Sequence, residues 1–448
     1  MLKGFESSKS SSIHKTFKFY KDQKAGYRFF GNKSVKESHF IDKLNEDCAK
    51  QGNGRKLLAY CDTSTINTSA NSGRLTDLRG LGIIGRNQNK ESIGFFLHGI
   101  FVEDQMDGTP CGFSSTELYN RSLERSTFDK SKRDILRTIP IEEKESYKWV
   151  GPCLNTRDEV LKDAEHITFV MDREGDIIEV FERIPNIRTD VVVRNMHNRK
   201  IINEAGEKLR LADELRAQKA TTSFKLKVNE KGGKRKSRSV TVEVKWGNIE
   251  LLAPRGHKLK SPIKASYVEV KEVTQQGKAS ENPIHWLLLS SKQISSTQEA
   301  LEIVKIYKRR WSIEVFFKLL KSDGFDIEKT EMKTGRGIRK LTLMIMQASI
   351  KILQLKSART GGTTLKTEEV FTDLEIKCLE KLNHQLEGKT VKQQNPYSPD
   401  HLSWASWIIA RLGGWTEFYN KSRPPGNKTF KDGLEKFETV MLGFLLSG

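Results

Sequence analysis

Several polar side chains recur at helical spacing between residues 295 and 326. At about 100° per residue they share one arc of roughly 80°, spread over about four turns. A lone carboxylate among cations on such an arc suits a metal ion that is bound beside phosphate groups. A solvated helix face would show the same pattern, and that alternative stays open. The side chains on this arc are Tyr307, Arg310, Glu314, Lys318 and Lys321.

The same stretch is predicted to form one long helix. Ser296 and Glu299 have the spacing of a capping box at its start, and Gly324 is expected to end it in the left-handed conformation. A surface helix usually has one polar and one apolar face, whereas this helix has two polar faces. Trp311 is expected to be a packing residue. The second polar arc consists of Lys305, Lys308, Arg309 and Ser312.

Two further acids follow short apolar runs that predict β-strands. Residues 56–62 read KLLAYCD and residues 166–172 read HITFVMD, so the strands are expected to present Asp62 and Asp172 at their tips. An Asp at a strand end is often only a turn former or a helix cap. For Asp176, four residues later, we keep that structural interpretation.

The spacing Tyr307-x2-Arg310-x3-Glu314-x6-Lys321 resembles the Y-(2)-R-(3)-E-(6)-K signature of the insertion-sequence-four family of DDE transposases. The DREGD run that begins at Asp172 is also similar to a box of this family, as are the segments 27–32 and 404–415. The resemblance implies that the catalytic acids are Asp62, Asp172 and Glu314. These hard oxygen donors suit two Mg²⁺ ions, for which Mn²⁺ substitutes. One ion would activate the attacking oxygen, and the other would stabilise the leaving oxygen.

The resemblance also implies a set of DNA contacts. Trp286 lies 307 − 286 = 21 residues before Tyr307, where the family has a Trp that takes a flipped base; without the family, a core Trp is the better interpretation. The basic run 231–238 is either a solvated hairpin tip or a contact with the DNA backbone. The complete set is Tyr307, Arg310, Lys318, Lys321, Trp286, Arg194, Lys234, Arg235 and Arg238.

The fold that the resemblance implies is α/β, with an RNase H-like mixed-sheet core flanked by helices. The predicted domains are a short helical DNA-binding segment over 1–50, the catalytic core over 51–358, and a helical dimerisation domain over 359–448. A β-rich insertion, forming a small antiparallel sheet, is expected at about 196–290. The gap of 314 − 172 = 142 residues between the second and third acids fits such an insertion.

Composition agrees with a nucleic-acid partner. The net charge of 77 − 57 = +20 favours a polyanion, although a merely basic protein is the alternative. The five cysteines lack CxxC spacing, which indicates free thiols in a reducing compartment. No apolar run reaches the ~18–20 residues that a membrane span needs. We therefore expect a bacterial cytoplasmic protein that associates with the nucleoid when it binds DNA.

The function implied is cut-and-paste DNA transposition. The ends of the transposon, its terminal inverted repeats, would be nicked, closed into hairpins, reopened and joined to target DNA by a homodimer. The segment 27–32, which begins with the residues YRFF, lies close to Met1. We therefore expect about half of an end-binding domain to be missing. Two alternatives follow: an N-terminally truncated, non-catalytic inhibitor of transposition, and a Mg²⁺-dependent nuclease without strand transfer.

Overall fold

The computed structural model describes residues 1–8, 10–87, 90–121, 139–228, 237–254, 257, 259–273, 283–416 and 424–447. Within these ranges the strands belong to a single mixed sheet. The strands are β1 Lys56–Asn67, β2 Gly82–Asn87, β3 Lys90–Asp104, β4 Pro110–Tyr119, β5 His166–Met171, β6 Thr189–Arg194, β7 Lys200–Asn203, β8 Lys208–Arg210, β9 Thr222–Val228, β10 Arg238–Leu251, β11 Ile263–Glu272 and β12 His285–Ser290.

The helices cover both faces of this sheet. They are α1 Leu2–Glu6, α2 Ile13–Thr16, α3 Tyr20–Gly31, α4 Glu37–Gly52, α5 Gly151–Asn155, α6 Ile178–Arg183, α7 Leu211–Ala217, α8 Thr297–Arg309, α9 Trp311–Lys321, α10 Gly335–Ala358, α11 Asp373–Leu386, α12 Leu402–Leu412 and α13 Asn427–Ser447. In the part of the chain that the structure describes, none of them is both long enough and apolar enough to cross a membrane.

The centre of the sheet is parallel. Strand β5 lies between β1 and β6 and pairs with both in parallel, while β3 and β12 flank this trio antiparallel. Where these strands pair in parallel they are nearly continuous apolar runs, over 57–61, 167–171 and 191–193, as expected for strands buried on both faces. The order β4-β3-β1-β5-β6, with helices on both sides, is consistent with the predicted RNase H-like core.

The β-rich segment after β6 is present, but it does not form a sheet of its own. Strand β11 pairs with β12, so β10, β7 and β8 continue the central sheet. Strand β10 is one continuous strand that pairs with β11 without interruption from Val242 to Leu251. Gly247 lies within this strand and does not end it, because ladder hydrogen bonds to β11 continue on both sides.

Two apolar clusters lie on opposite faces of the sheet. Alternate side chains of β1 divide between them: Leu58 and Tyr60 face one cluster, and Leu57, Ala59 and Cys61 face the other. The first cluster contains the apolar residues of α8, α9, α10, α12 and α13. It also contains Phe5, Phe30, Phe40 and Leu44, so the N-terminal helices share this core.

The predicted long helix is two helices with a break at Arg310. Ser296 caps α8 as predicted, accepting a hydrogen bond from the Glu299 backbone N–H at 3.3 Å. The Glu299 carboxylate bonds the N–H of Ser295, one residue before the expected capping-box partner, at 2.7 Å. The prediction for Gly324 is wrong, because the left-handed residue after α9 is Asp326, with φ of 51°.

Asp176 has the structural role predicted for it. Its side chain is fully buried and its Oδ1 accepts from Arg199 at 2.5 Å, while its Oδ2 accepts from the backbone N–H groups of Met196 and His197. This one carboxylate therefore ties the turn after β5 to the loop after β6. Both loops border the ends of the central parallel strands.

Asp176→Ala should lower the free energy of unfolding by about 3–5 kcal/mol, because it leaves the buried guanidinium of Arg199 without its partner. Urea denaturation measures the loss. The control is Asp213→Ala, which breaks the exposed pair with Arg216 and should change stability by at most ~1 kcal/mol. Equal, small losses for both variants would contradict the structural role.

Candidate active site

The first two acids lie side by side at the end of the parallel pairing. The β1–β5 ladder ends with Cys61 opposite Met171, so Asp62 and Asp172 are the next residues on adjacent strands. Strand β1 itself continues to Asn67 through its antiparallel pairing with β3. The prediction that Asp62 lies at the tip of its strand is therefore wrong. Asp62 lies within β1, at the point where the parallel pairing with β5 ends.

Asp172 does follow the last residue of its strand. Its Oδ1 accepts a hydrogen bond from the Glu174 backbone N–H at 2.9 Å, and it caps the short turn Arg173–Gly175. This is the capping interaction that sequence reasoning kept as an alternative. It occupies one carboxylate oxygen with a local bond, and it fixes the orientation of the carboxylate at the sheet edge.

Arg310 joins the third acid to the first. Its Nη1 donates to Asp62 Oδ2 at 3.0 Å, and its Nη2 donates to Glu314 Oε1 one turn further along α9. The guanidinium is largely buried, with 14% of its side chain exposed. Because the break between α8 and α9 falls at this residue, Arg310 can reach back to the sheet while Glu314 faces the same point.

The three carboxylates interact electrostatically. Burial raises the pKa of Asp62 from its ordinary value of 3.8 to about 6. The charges of Asp172 and Glu314 add to this increase, while Arg310 and the Thr63 backbone N–H oppose it. Arg310 contacts two of the three acids, so the site carries excess negative charge when all three are ionised.

An aromatic and cationic group lies against these acids. Tyr307 is buried in the last turn of α8, and Trp286 of β12 meets its ring edge-on at 5.7 Å between centroids. Burial raises the pKa of Tyr307, with a smaller contribution from Asp172, while Arg310 and Arg194 oppose the increase. Arg194 donates to the His285 carbonyl at 2.9 Å, which holds it at the ends of β6 and β12.

The remaining predicted cations that the structure describes pair with other acids. Lys318 pairs with Asp323 at 2.7 Å, and Lys321 lies 3.9 Å from Glu328, which itself accepts from the Asn67 N–H at the end of β1. Burial lowers the pKa of Lys321, against the opposing charge of Glu328. Arg238 pairs with Glu272 inside the β-rich segment, away from the acids. Lys234 and Arg235 lie outside the described residues.

The geometry thus brings together seven of the residues singled out from the sequence: Asp62, Asp172, Glu314, Arg310, Tyr307, Trp286 and Arg194. Residues 153–350 match the family model of the transposase DDE domain. The matched range includes Asp172 and Glu314 and begins after Asp62. It covers 350 − 153 + 1 = 198 of the 448 residues. The match supports a DDE transposase, which is an enzyme of the nuclease and transposase class with DNA as its substrate.

A transposase DDE domain uses divalent metal ions, and the donor set here fits such ions chemically. Carboxylate oxygens are the ligands that Mg²⁺ and Mn²⁺ prefer, and the surplus of acids over cations calls for positive charge. Among the described residues, however, no three His, Cys, Asp or Glu side chains converge at metal-binding distance. In this structure the guanidinium of Arg310 supplies the positive charge between Asp62 and Glu314.

Sequence reasoning missed the role of Arg309. Arg309 lies on the second polar arc, yet its guanidinium donates to the carbonyls of Gln105 at 2.5 Å and Asp104 at 2.7 Å. It also lies 3.3 Å from Glu103, which accepts from Tyr60 at 3.0 Å. These bonds attach the break between α8 and α9 to the end of β3. The second polar face of the predicted helix, to which Arg309 belongs, was the sequence feature that could have indicated this role.

The expectation for Trp311 is wrong. Its side chain is 55% exposed, although it immediately follows Arg310 at the start of α9. The amphipathic character of α9 explains this exposure. Ile313 and Phe316 face the core, and Trp311 lies on the opposite side of the helix. An exposed indole thus stands next to the residue that joins the acids.

Arg309→Gln should lower the free energy of unfolding by about 1–3 kcal/mol, because Glu103 is buried and loses its cation. Urea denaturation at neutral pH measures this loss. The matched control is Lys308→Gln, since Lys308 is exposed on the same helix and should change stability by at most ~0.5 kcal/mol. Indistinguishable variants would contradict the attachment described here.

Asp62→Asn should make the metal-free chain more stable at pH 8. The pKa of Asp62 is raised on folding, so its favourable contribution is complete below pH 3.8 and is lost as the pH rises through about 6. A shift of this size corresponds to about 1–3 kcal/mol at pH 8. Denaturation in a chelator at pH 8 and pH 4 measures the gain, which should disappear at the lower pH.

The control for this measurement is Asp158→Asn. Arg157 lowers the pKa of Asp158 through a hydrogen bond, so replacing this acid should bring no gain at pH 8. A gain for both variants would indicate a general effect of net charge. No gain for Asp62→Asn would show that its carboxylate is not disfavoured by its surroundings.

Proposed function

We propose that this chain is a cut-and-paste DNA transposase of the insertion-sequence-four type. The observation that carries the proposal is the bridge from Arg310 to Asp62 and Glu314, beside Asp172 on the next strand. It joins residues that are 314 − 62 = 252 positions apart in the sequence. A domain-family match that includes the second and third acids supports the same assignment.

We assign the binding of two Mg²⁺ ions, or Mn²⁺ in their place, to Asp62, Asp172 and Glu314. When bound, such ions supply Lewis-acid activation of an attacking oxygen and charge stabilisation of a leaving oxygen. The chain's own part is to hold the three carboxylates at one sheet edge. The capping bond to Asp172 and the bond from the Thr63 N–H to Asp62, at 2.7 Å, restrict two of them.

We assign phosphate binding to the cationic side of α8 and α9. The guanidinium of Arg310 presents a planar fork that matches two phosphate oxygens, whereas Lys318 and Lys321 act as point charges. Tyr307 would donate its hydroxyl to a phosphate oxygen, and the raised pKa of this group keeps its proton in place. Arg194 continues the basic surface along the ends of β6 and β12.

Trp286 is the proposed site for an extrahelical base. Its ring is only partly buried and meets Tyr307 edge-on, so part of its face remains available. A base that leaves the duplex needs such a surface to replace lost stacking. The basic run with Lys234 and Arg235, continued by Arg238, is proposed to contact the DNA backbone outside the cleavage site.

The proposed reaction has four steps at one site. Water first nicks each transposon end, and the freed 3′-hydroxyl attacks the opposite strand to give a hairpin. The hairpin is then opened, and the 3′-ends are joined to target DNA. Each step is an attack by an oxygen on a phosphodiester, so the same carboxylates serve all four. Two ends must be held together, for which we propose a homodimer formed through residues 359–448.

Cleavage of a plasmid that carries the inverted repeats flanking the gene tests the proposal. The native chain should cut with added Mg²⁺ and leave hairpin ends, and Glu314→Gln should lower the rate by at least about 100-fold. The matched control is Glu302→Gln, an exposed acid on α8 that should retain full activity. Strand transfer is measured by the joining of the cut ends to a second plasmid.

The other outcomes separate the alternatives. Cutting without any joining would identify a nuclease. A folded chain that does not cut, but blocks cutting by a longer relative with which it pairs, would be an inhibitor of transposition. Equal cutting by the native chain and Glu314→Gln would remove Glu314 from the active site and overturn the assignment.

A further inference from the structure

A cavity of about 430 Å³ lies beside the acids but is not used by them. It is bordered by the turn after β5, the loop after β6, helix α7 and the strands β10, β11 and β12. Its apolar floor comes from leucines, and its walls carry four Lys or Arg side chains. The residues that matter to the argument are Arg173, Leu211, Arg216, Lys245, Lys271 and Leu287.

The cavity opens at the same sheet edge as the active site but on the other face. Arg173 immediately follows Asp172, and Asn195, which also lines the cavity, follows Arg194. Leu211 belongs to the second apolar cluster, whereas Tyr307 belongs to the first. A strand that runs from the acids to the cavity must therefore cross the edge of the sheet.

The charges in the cavity do not cancel. Glu269 is buried in its wall, is hydrogen-bonded to His285 at 2.9 Å and pairs with Lys245 at 3.7 Å, and the charge of Lys271 acts on it more weakly. Arg216 on the rim pairs with Asp213. Arg173 and Lys271 form no ion pair with any residue that the structure describes. Two positive charges therefore face the opening, and an anionic ligand would complete the set.

We propose that this cavity binds one unpaired nucleotide of a DNA strand, with its base on the leucine floor and its phosphate between Arg173 and Lys271. The volume is at the lower end of the range for small-ligand sites, about 300–1,000 Å³, and a duplex is far too wide to enter. Only the choice of DNA over another nucleotide polymer rests on the proposed function. The ligand is an unpaired tail continuous with the strand that passes Asp172.

Fluorescence anisotropy with two DNA probes tests the proposal: a blunt duplex, and the same duplex with a short unpaired tail on either strand. The native chain should bind one of the tailed probes about tenfold more tightly than the blunt one, because burial of the base on apolar side chains and pairing of its phosphate with two cations both favour the tail. The Arg173→Gln, Lys271→Gln double variant should lose this gain. The slope of its log affinity against log salt should become shallower by about 0.7, since one single-strand phosphate contact is lost.

Two controls locate the effect. Lys264→Gln removes an exposed cation from the far end of the same strand, β11, and should keep the full tail gain. The single variant Lys271→Gln leaves the residue next to Asp172 intact and should lose part of the gain. An abasic tail keeps its phosphates, so it should retain only part of the tail gain if the base enters the cavity.

The results separate this inference from the proposed function. No tail gain in the native chain, or a gain that survives in the double variant, overturns the cavity assignment even if the plasmid is cut. A tail gain that depends on Arg173 and Lys271, in a chain that never cuts DNA, supports the cavity and overturns the transposase proposal. Tight binding that abasic tails share would indicate a site for phosphate alone, and the nucleotide assignment would be wrong.

Discussion

Mutual repulsion among three carboxylates is the constraint around which the rest of this structure is arranged. Asp62 lies on a strand, Asp172 follows the neighbouring strand and Glu314 lies on a helix, and the ionised carboxylate of Asp62 interacts unfavourably with both of the others. The guanidinium of Arg310 lowers this cost by contacting two of them at once. Burial is the largest cause of the raised pKa of Asp62, and the charges of Asp172 and Glu314 add to it. A cluster of acids with a raised pKa at one sheet edge is typical of a functional site, here one that suits the binding of cations.

Several features of the fold serve to hold that arrangement. The parallel pairing of β1 with β5 places two acids next to each other, and the break between α8 and α9 turns Arg310 toward them. Arg309 attaches the same break to the end of β3 through two carbonyls and Glu103. Because this attachment does not touch the acids, it can fix the helix while leaving their chemistry free.

Sequence alone was sufficient for the features that depend on local pattern. The apolar runs before Asp62 and Asp172 predicted their strands, and the spacing from Tyr307 to Glu314 predicted a shared helical surface. The interruption at Arg310 could not be predicted, because it is caused by the tertiary bonds of Arg309 and Arg310 and no proline or glycine marks it. The cavity was also missed, since its walls come from segments up to 114 positions apart (287 − 173) that only the sheet brings together.

Helix α10 lies at the centre of the first apolar cluster, with buried residues on every side over its 24 residues. Helices near both ends of the chain cover it: Phe5 and Phe30 come from the N-terminal side, and Phe430 and Leu434 from the last helix. Detachment of the helices at either end would expose the apolar side chains of α10 to water, which is unfavourable. Regulation by detaching a terminal segment is therefore costly in this architecture, and a partner that inhibits or activates the chain must act on the assembled surface.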